Sequence, residues 1–229
     1  MLHGYTASLL EGAALTLGVA LSSLAIAVAL GLAGASAKLS RSRAAGALAS
    51  LYTTVMRGVP DLVLMLLVFF GGQLAVNEIA ARVGHEDYID VDPFVAGVLT
   101  IGFIFGAYLT ETFRGAFLAV PAGQREAALA FGMTRWQSLA HVELPQMLRH
   151  ALPALSNNWL VLLKSTAIVS VIGLNDMMQR AGHAAGATRE PFVFYGAVAL
   201  LYLAMTSLSE LGFAWLGRRV AVGTRSAAP

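Results

Sequence analysis

Three ionisable side chains stand inside strongly apolar stretches: Asp61, with Arg57 four residues before it, and Lys164. A charge at membrane depth is expensive, so it persists where it pairs, lines a wet cavity or meets a ligand. Asp61 falls about 11 residues into the apolar stretch 50–74, roughly 17 Å along a helix and near the middle of a bilayer. Pro60 lacks an amide hydrogen and its ring opposes the carbonyl of Met56, while Gly58 loosens the same turn, so a break is expected beside Asp61. Broken helices at the midplane build solute sites in secondary transporters, and the same logic extends here by analogy. A carboxylate there can hold the positive group of a solute, or Arg57 one turn away can neutralise it. Both chemistries are open. Lys164 lies about 11 residues, roughly 16 Å, into the stretch 153–174, where it can meet a solute carboxylate or pair with Asp61. Glu111, three residues before Arg114, reads as half of a local ion pair. Glu11 and Glu210 sit at the ends of apolar runs and read as solvated. Tyr108 is deep enough to stack on a cation, although packing is the plainer reading.

Residues suited to covalent or metal chemistry are scattered. His3, His85, His141, His150 and His183 form no HExxH or other close ligand pair, so no metal site is expected. There is no G-x-S-x-G elbow and no phosphate-binding P-loop. Ser165 is adjacent to Lys164 in sequence, and adjacent helical residues point in different directions, so the pair does not make a hydrolase dyad. The chain reads as a non-enzyme. It contains no Cys, which excludes disulfides and thiol chemistry.

The elements that must position these charges are membrane helices. Among 229 residues, 57% are hydrophobic and 12% charged, against roughly 25% charged in soluble domains. Five spans are expected, about 12–34, 50–74, 94–117, 153–174 and 192–216, within one domain covering 1–229. The first span lacks a basic segment before it and is expected to be retained rather than cleaved. Gly12, Gly18, Gly31 and Gly34 in the first span, and Gly97, Gly102 and Gly106 in the third, allow close helix approach. Acidic residues Glu78, Glu86, Asp87, Asp90 and Asp92 fill the connection 75–93; 175–190 reads as a second connection on the same side. An odd number of spans puts the termini on opposite sides. One side carries Lys38, Arg41, Arg43, Arg114, Arg125, Arg135, Arg149, Arg218, Arg219 and Arg225; the other carries Arg82, Arg180 and Arg189. The positive-inside bias therefore expects a periplasmic N-terminus and a cytoplasmic C-terminus. The small net charge of +2 gives no reason to expect nucleic acid as a partner.

The polar interval Pro121–Pro153 falls on the basic side. Gln124–Phe131 is expected as a short helix rich in good helix formers, stopped by Gly132; Gln137–Leu144 is expected as a second, limited by Pro145. Glu126, near the first helix's start, is favoured by the helix dipole and can pair with a basic group across an interface. Glu126-Ala127-Ala128, three residues, Gly132, nine residues, then Val142-Glu143-Leu144-Pro145 is a spaced pattern that resembles the cytoplasmic-loop signature of the membrane subunits of bacterial ABC importers. Val142 stands where that pattern usually has Ile, a conservative change.

The resemblance extends over nearly the whole chain. Gly12–Leu17, Tyr52–Leu67, Gly106–Met133, Leu144–Met177 and Glu190–Gly196 are similar to the polar amino-acid subfamily of these permeases. The R-G-V-P-D sequence at 57–61 is most similar to Q-type permeases of histidine/lysine/arginine/ornithine importers, with octopine, nopaline and arginine relatives close behind. The resemblance implies an all-α, five-span type I permease fold. It implies import of basic amino acids, with octopine, nopaline or another polar amino acid as the alternative and a passive channel as the rival of a different class. It also implies partners: a homologous second permease subunit, two copies of a cytoplasmic ATPase, and a periplasmic amino-acid-binding protein. ATP and Mg would belong to the ATPase, with no cofactor in this chain. Glu126, Ala127, Ala128 and Gly132 would dock the ATPase, and Asp61, Arg57 and Lys164 would line the substrate pathway.

Overall fold

The computed structural model describes residues 4–85 and 87–220; His3, Glu86 and Arg225 lie outside the described residues. The described chain is helical throughout: α1 (Thr6–Leu39), α2 (Arg43–Gly58), α3 (Asp61–Arg82), α4 (Pro93–Leu118), α5 (Ala122–Ala130), α6 (Arg135–Ser138), α7 (Leu144–Ser165), α8 (Met177–Thr188) and α9 (Pro191–Val220). Five helices are long and apolar enough to cross a membrane: α1, α3, α4, the helical run Arg135–Ile172 that contains α7, and α9.

The α1–α4 pair forms the centre of the bundle. Both helices are apolar on most faces, and α4 is largely buried, with Ile101, Ile104, Phe105, Leu109 and Phe113 in the core. Small residues set their separation. A Cβ added to Gly31 would fall 2.7 Å from the Cβ of Leu109, and one added to Gly102 would fall 2.8 Å from the Cβ of Ile26. Only hydrogen fits at these two crossings, which is how small residues bring apolar helices into close packing without a hydrophobic force from lipid. The Ser23 hydroxyl donates to the Val98 carbonyl at 3.2 Å across the pair.

The second expected span breaks beside Asp61, as expected, but its bounds shift: α2 ends at Gly58 and α3 begins at Asp61, with Val59 and Pro60 extended between them, and the crossing helix is α3 alone. Asp61 is therefore the first residue of a helix rather than a point inside one. Pro60 explains the break: its missing N–H and its restriction of the preceding residue end α2, and the same ring starts α3 without loss. The depth of Asp61 follows from register. Gln73 accepts from the Val91 amide at 2.8 Å, just ahead of α4. Leu64 and Val68 line one cavity with Leu99, Thr100 and Phe103. Thus α3 runs antiparallel to α4, and Asp61 lies level with the middle of α4. Helix α3 also continues to Arg82, well past the expected end at 74.

Two further elements differ from the sequence expectation. The connection 175–190 contains a helix, α8, capped by Asp176 and packed through Met177, Ala181, Ala184 and Ala185 against Leu9, Phe194 and Val198. Pro145 does not limit a helix. The backbone is helical without interruption from α6 through a π turn at Leu139–Glu143 into α7. In that turn the Leu144 amide reaches back five residues to the Leu139 carbonyl. The wider turn accommodates Pro145, which sits in the first turn of α7 where its absent N–H matters least.

Candidate permeation and docking sites

The charges at mid-bundle depth are not paired with one another. Asp61 is partly exposed at the start of α3, Arg57 is exposed at the end of α2, and Lys164 is exposed near the end of α7. Among the described residues no ion pair joins Asp61 to Arg57 or to Lys164. The Arg57 guanidinium instead lies over the ring of Tyr108, 5.2 Å from its centroid. Tyr108 does meet a cation, and the cation comes from its own chain. Lys164 lines a different hollow, with Ala167, Met178, Tyr195, Val198 and Tyr202.

A second set of charges is closed on itself. Glu111 on α4 accepts from Arg114 at 2.9 Å, the local pair expected from spacing, and also from Lys38 on α1. Lys38 donates further to the Thr53 hydroxyl on α2 at 2.7 Å. The Lys38 and Glu111 side chains are 12% and 24% exposed, so this network ties three helices together with little water. Spacing could not reveal Lys38, because it is 73 residues from Glu111.

At the other end of α1, Arg180 on α8 pairs with Glu11 at 2.7 Å and donates to the Ser8 carbonyl at 3.2 Å. Glu11 is solvated, as expected of a boundary residue, and its exposed carboxylate also pairs with Arg180 on α8. Asp176 is fully buried at the head of α8. Its Oδ1 accepts from the Gln179 amide at 2.9 Å, while Oδ2 has no hydrogen-bond partner. Burial pushes its carboxyl up to about 6, against backbone hydrogen bonds that favour the ion.

The polar loop is structured. In α5, Glu126 and Ala127 face solvent and Ala128 is buried. Gly132 stands at φ 85°, a left-handed position that favours glycine. Around it the Gly132 amide donates to the Leu129 carbonyl at 3.0 Å and the Met133 amide to the Ala128 carbonyl at 3.1 Å. These two bonds make a Schellman stop. Thr134 and Gln137 then form a reciprocal capping box that starts α6. The turn leaves Phe131 and Trp136, 88% and 79% exposed, on the surface beside Glu126 in sequence. Sequence reasoning did not single out these two aromatics; two large rings in so polar an interval were the available signal.

Five helices apolar enough to cross a membrane, a polar loop with exposed rings, and an unpaired carboxylate at a helix break are the features of a membrane transport subunit. The particular family follows from comparison: the chain belongs to the binding-protein-dependent transport system inner membrane components, whose profile matches residues 14–222. It is 51% identical over 227 residues to the histidine/lysine/arginine/ornithine transport system permease protein HisQ of Salmonella typhimurium, covering 99% of both chains. It is 43% identical over 211 residues to the nopaline transport system permease protein NocQ of Agrobacterium fabrum, covering 92% of this chain and 89% of the relative. A crystal structure of an amino acid ABC transporter with histidines superposes with a TM-score of 0.79 at 33% identity, over 94% of this chain and 95% of the other. An inward-facing methionine ABC transporter gives 0.65 at 19% identity, a likeness of fold alone. The chain is thus a multi-pass inner-membrane permease subunit of an ABC transporter, with the permease fold of that class, and not its catalytic subunit.

Proposed function

We propose that this chain is the permease subunit of an ATP-driven, binding-protein-dependent importer of basic amino acids: histidine, lysine, arginine and ornithine. The observation that carries the reading is 51% identity, over nearly the full length, to a permease named for those four solutes. The nopaline and octopine relatives are more distant, at 43% and 41%, which makes those solutes the weaker alternative. The passive-channel rival has no support among these relatives.

In this reading the N-terminus is periplasmic and Pro121–Pro153 is cytoplasmic. Glu126, Ala127, Ala128 and Gly132 present α5 to a groove on a separate ATPase, which holds ATP and Mg. Exposed Phe131 and Trp136 add apolar area to that contact. A homologous permease subunit pairs with this one, each docks an ATPase, and a periplasmic binding protein delivers the solute. The helical continuity from Arg135 to Ile172 suits transmission, because movement of the loop then tilts a span directly instead of slackening in a hinge. Asp61, at the break between α2 and α3, is the first choice for the solute's positive group; Arg57 and Lys164 would contribute along the pathway.

The test is uptake into vesicles containing the complete importer, with binding protein outside and ATP inside. Arginine, lysine, ornithine and histidine should accumulate in an ATP-dependent way while glutamine does not. Accumulation of glutamine in preference to arginine would overturn the assignment.

A further inference from the structure

Three arginines line one hollow at the loop end of the bundle; two of them, Arg125 and Arg135, belong to the docking loop, but the transport reading gives none of the three a role of its own. Arg41, Arg125 and Arg135 line a hollow of about 440 Å³ with Leu129, Ser138, Leu139 and Glu143. Arg41 comes from the turn between α1 and α2, a turn fixed by the Ser40 hydroxyl donating to the Ala37 carbonyl at 2.8 Å and by Ser42 capping α2. Arg125 comes from α5 and Arg135 from the first residue of α6, which the capping box holds in place. The hollow therefore closes the space between the end of a span and the loop.

Its charges are unbalanced. No ion pair joins Arg41, Arg125 or Arg135 to a carboxylate among the described residues. Glu143 lines the same hollow, but its Oε1 accepts from the buried Ser138 hydroxyl at 3.0 Å. Three positive charges and one negative one leave a site short of anion. Guanidinium groups offer planar forks that match phosphate oxygens and are weakly hydrated, so convergent arginines favour a phosphate over a halide.

We propose that this hollow binds a phosphate-type oxyanion, held by Arg41, Arg125 and Arg135. The phosphodiester of an anionic phospholipid is the better-fitting source. Leu129 and Leu139 line the hollow beside the arginines, and α1 ends at an exposed Leu39 two residues before Arg41. An amphiphile satisfies both chemistries; free phosphate satisfies one. An acidic side chain of a docking ATPase fits less well, because Arg41 comes from the turn between α1 and α2, outside the loop that carries the exposed Phe131 and Trp136. A bound headgroup would pin α5 and α6 to α1 and make the loop's position sensitive to membrane composition.

The experiment uses the complete importer, purified in neutral detergent and titrated separately with phosphatidylglycerol and inorganic phosphate, with bound anion counted by native mass spectrometry. One anion per copy of this chain should bind. Arg41→Gln lies outside the docking loop and should weaken binding about tenfold, the size of one charge-assisted hydrogen bond. Glu143→Gln removes the competing carboxylate and should strengthen binding about threefold, a direction that a merely damaged fold would not give. Saturation by phosphatidylglycerol alone assigns the lipid source, and saturation by inorganic phosphate assigns the free ion. Binding that ignores both substitutions, or no binding in the complex but binding once the ATPase is removed, overturns the proposal; the second result would give the arginines to the partner's carboxylates. Neither failure bears on the transported solute.

Discussion

Glu111 and Asp61 are carboxylates of the same bundle, one toward the basic end of α4 and the other level with its middle, and the structure treats them oppositely. Glu111 is enclosed by Lys38 and Arg114, with Thr53 completing the lysine's bonds, so helices α1, α2 and α4 are cross-linked by charge. Asp61 stands at the start of α3 with no ion pair, although Arg57 is only four residues away in sequence, across the break. A paired carboxylate in a dry setting holds a structure together, while an unpaired one is tolerable where water, a ligand or another chain completes it. The difference assigns Glu111 to architecture and leaves Asp61 available to something outside this chain. Glu126 belongs with Asp61: exposed, unpaired and placed on a rigid helix.

The largest effect should come from an outward-facing carboxylate. Glu126→Lys should abolish ATP-driven uptake while the importer still assembles in the membrane, because the substitution puts a positive charge where a partner's basic group is expected. Wild-type uptake by that variant would remove the docking role. The inward-facing carboxylate should behave differently. Glu111→Gln leaves Lys38 without its counter-charge in a setting that is mostly closed to water, and should cost about 3 kcal/mol of stability. Thermal unfolding of the purified complex measures it. A variant as stable as wild type would mean that the network is ornamental.

How much of this contrast could be read beforehand depends on the distance over which each interaction acts. The α1–α4 packing was legible because Gly31, Gly34, Gly102 and Gly106 lie in apolar runs, and the loop was legible because Gly132 must stop α5. The Glu111–Arg114 pair was legible at three residues; Lys38 was not, because tertiary packing alone brings it there. The break beside Asp61 was legible because Pro60 cannot continue a helix; the bounds of span two were not, because hydropathy does not show that the crossing helix starts at Asp61 and runs on to Arg82. Helix α8 escaped notice for a different reason. At 12 residues its alanine stripe carries little hydropathy, and the helix exists through packing on Leu9 and Phe194. Pro145 misled because a π turn absorbs it, and nothing local announces a π turn.

Asp176 is an intermediate case, with one oxygen capped and the other unpartnered in a buried site. Its carboxyl is pushed up to about 6 from an ordinary value of 3.8, so the folded state holds the proton more tightly than the unfolded chain. The stability contributed by this group is present in full at low pH, falls as pH rises from about 4 through about 6, and is flat above that. Asp176→Asn keeps the capping oxygen and removes the titration. It should raise stability at neutral pH by on the order of 2 kcal/mol and flatten that part of the profile. Unfolding of wild type and variant across this pH range is the measurement. A profile unchanged by the substitution would mean that the orphan oxygen is hydrated in solution.

The smallest effect is the one that most sharpens the contrast. If Asp61 meets the positive group of the solute, then Asp61→Asn should lower uptake of arginine and lysine about tenfold, ~1.4 kcal/mol for one lost charge-assisted contact. Uptake of histidine, which is mostly neutral near pH 7, should fall less. Carrying Arg57→Gln in the same background tests whether the neighbouring guanidinium takes part. If Arg57 serves Tyr108, as its placement over the ring indicates, the double variant should lose little more than the single one. If Arg57 and Asp61 exchange charge during the transport cycle, the two losses will not add. Equal losses for all three solutes would place Asp61 with Glu111 after all, as a residue of architecture whose partner lies in the second permease subunit.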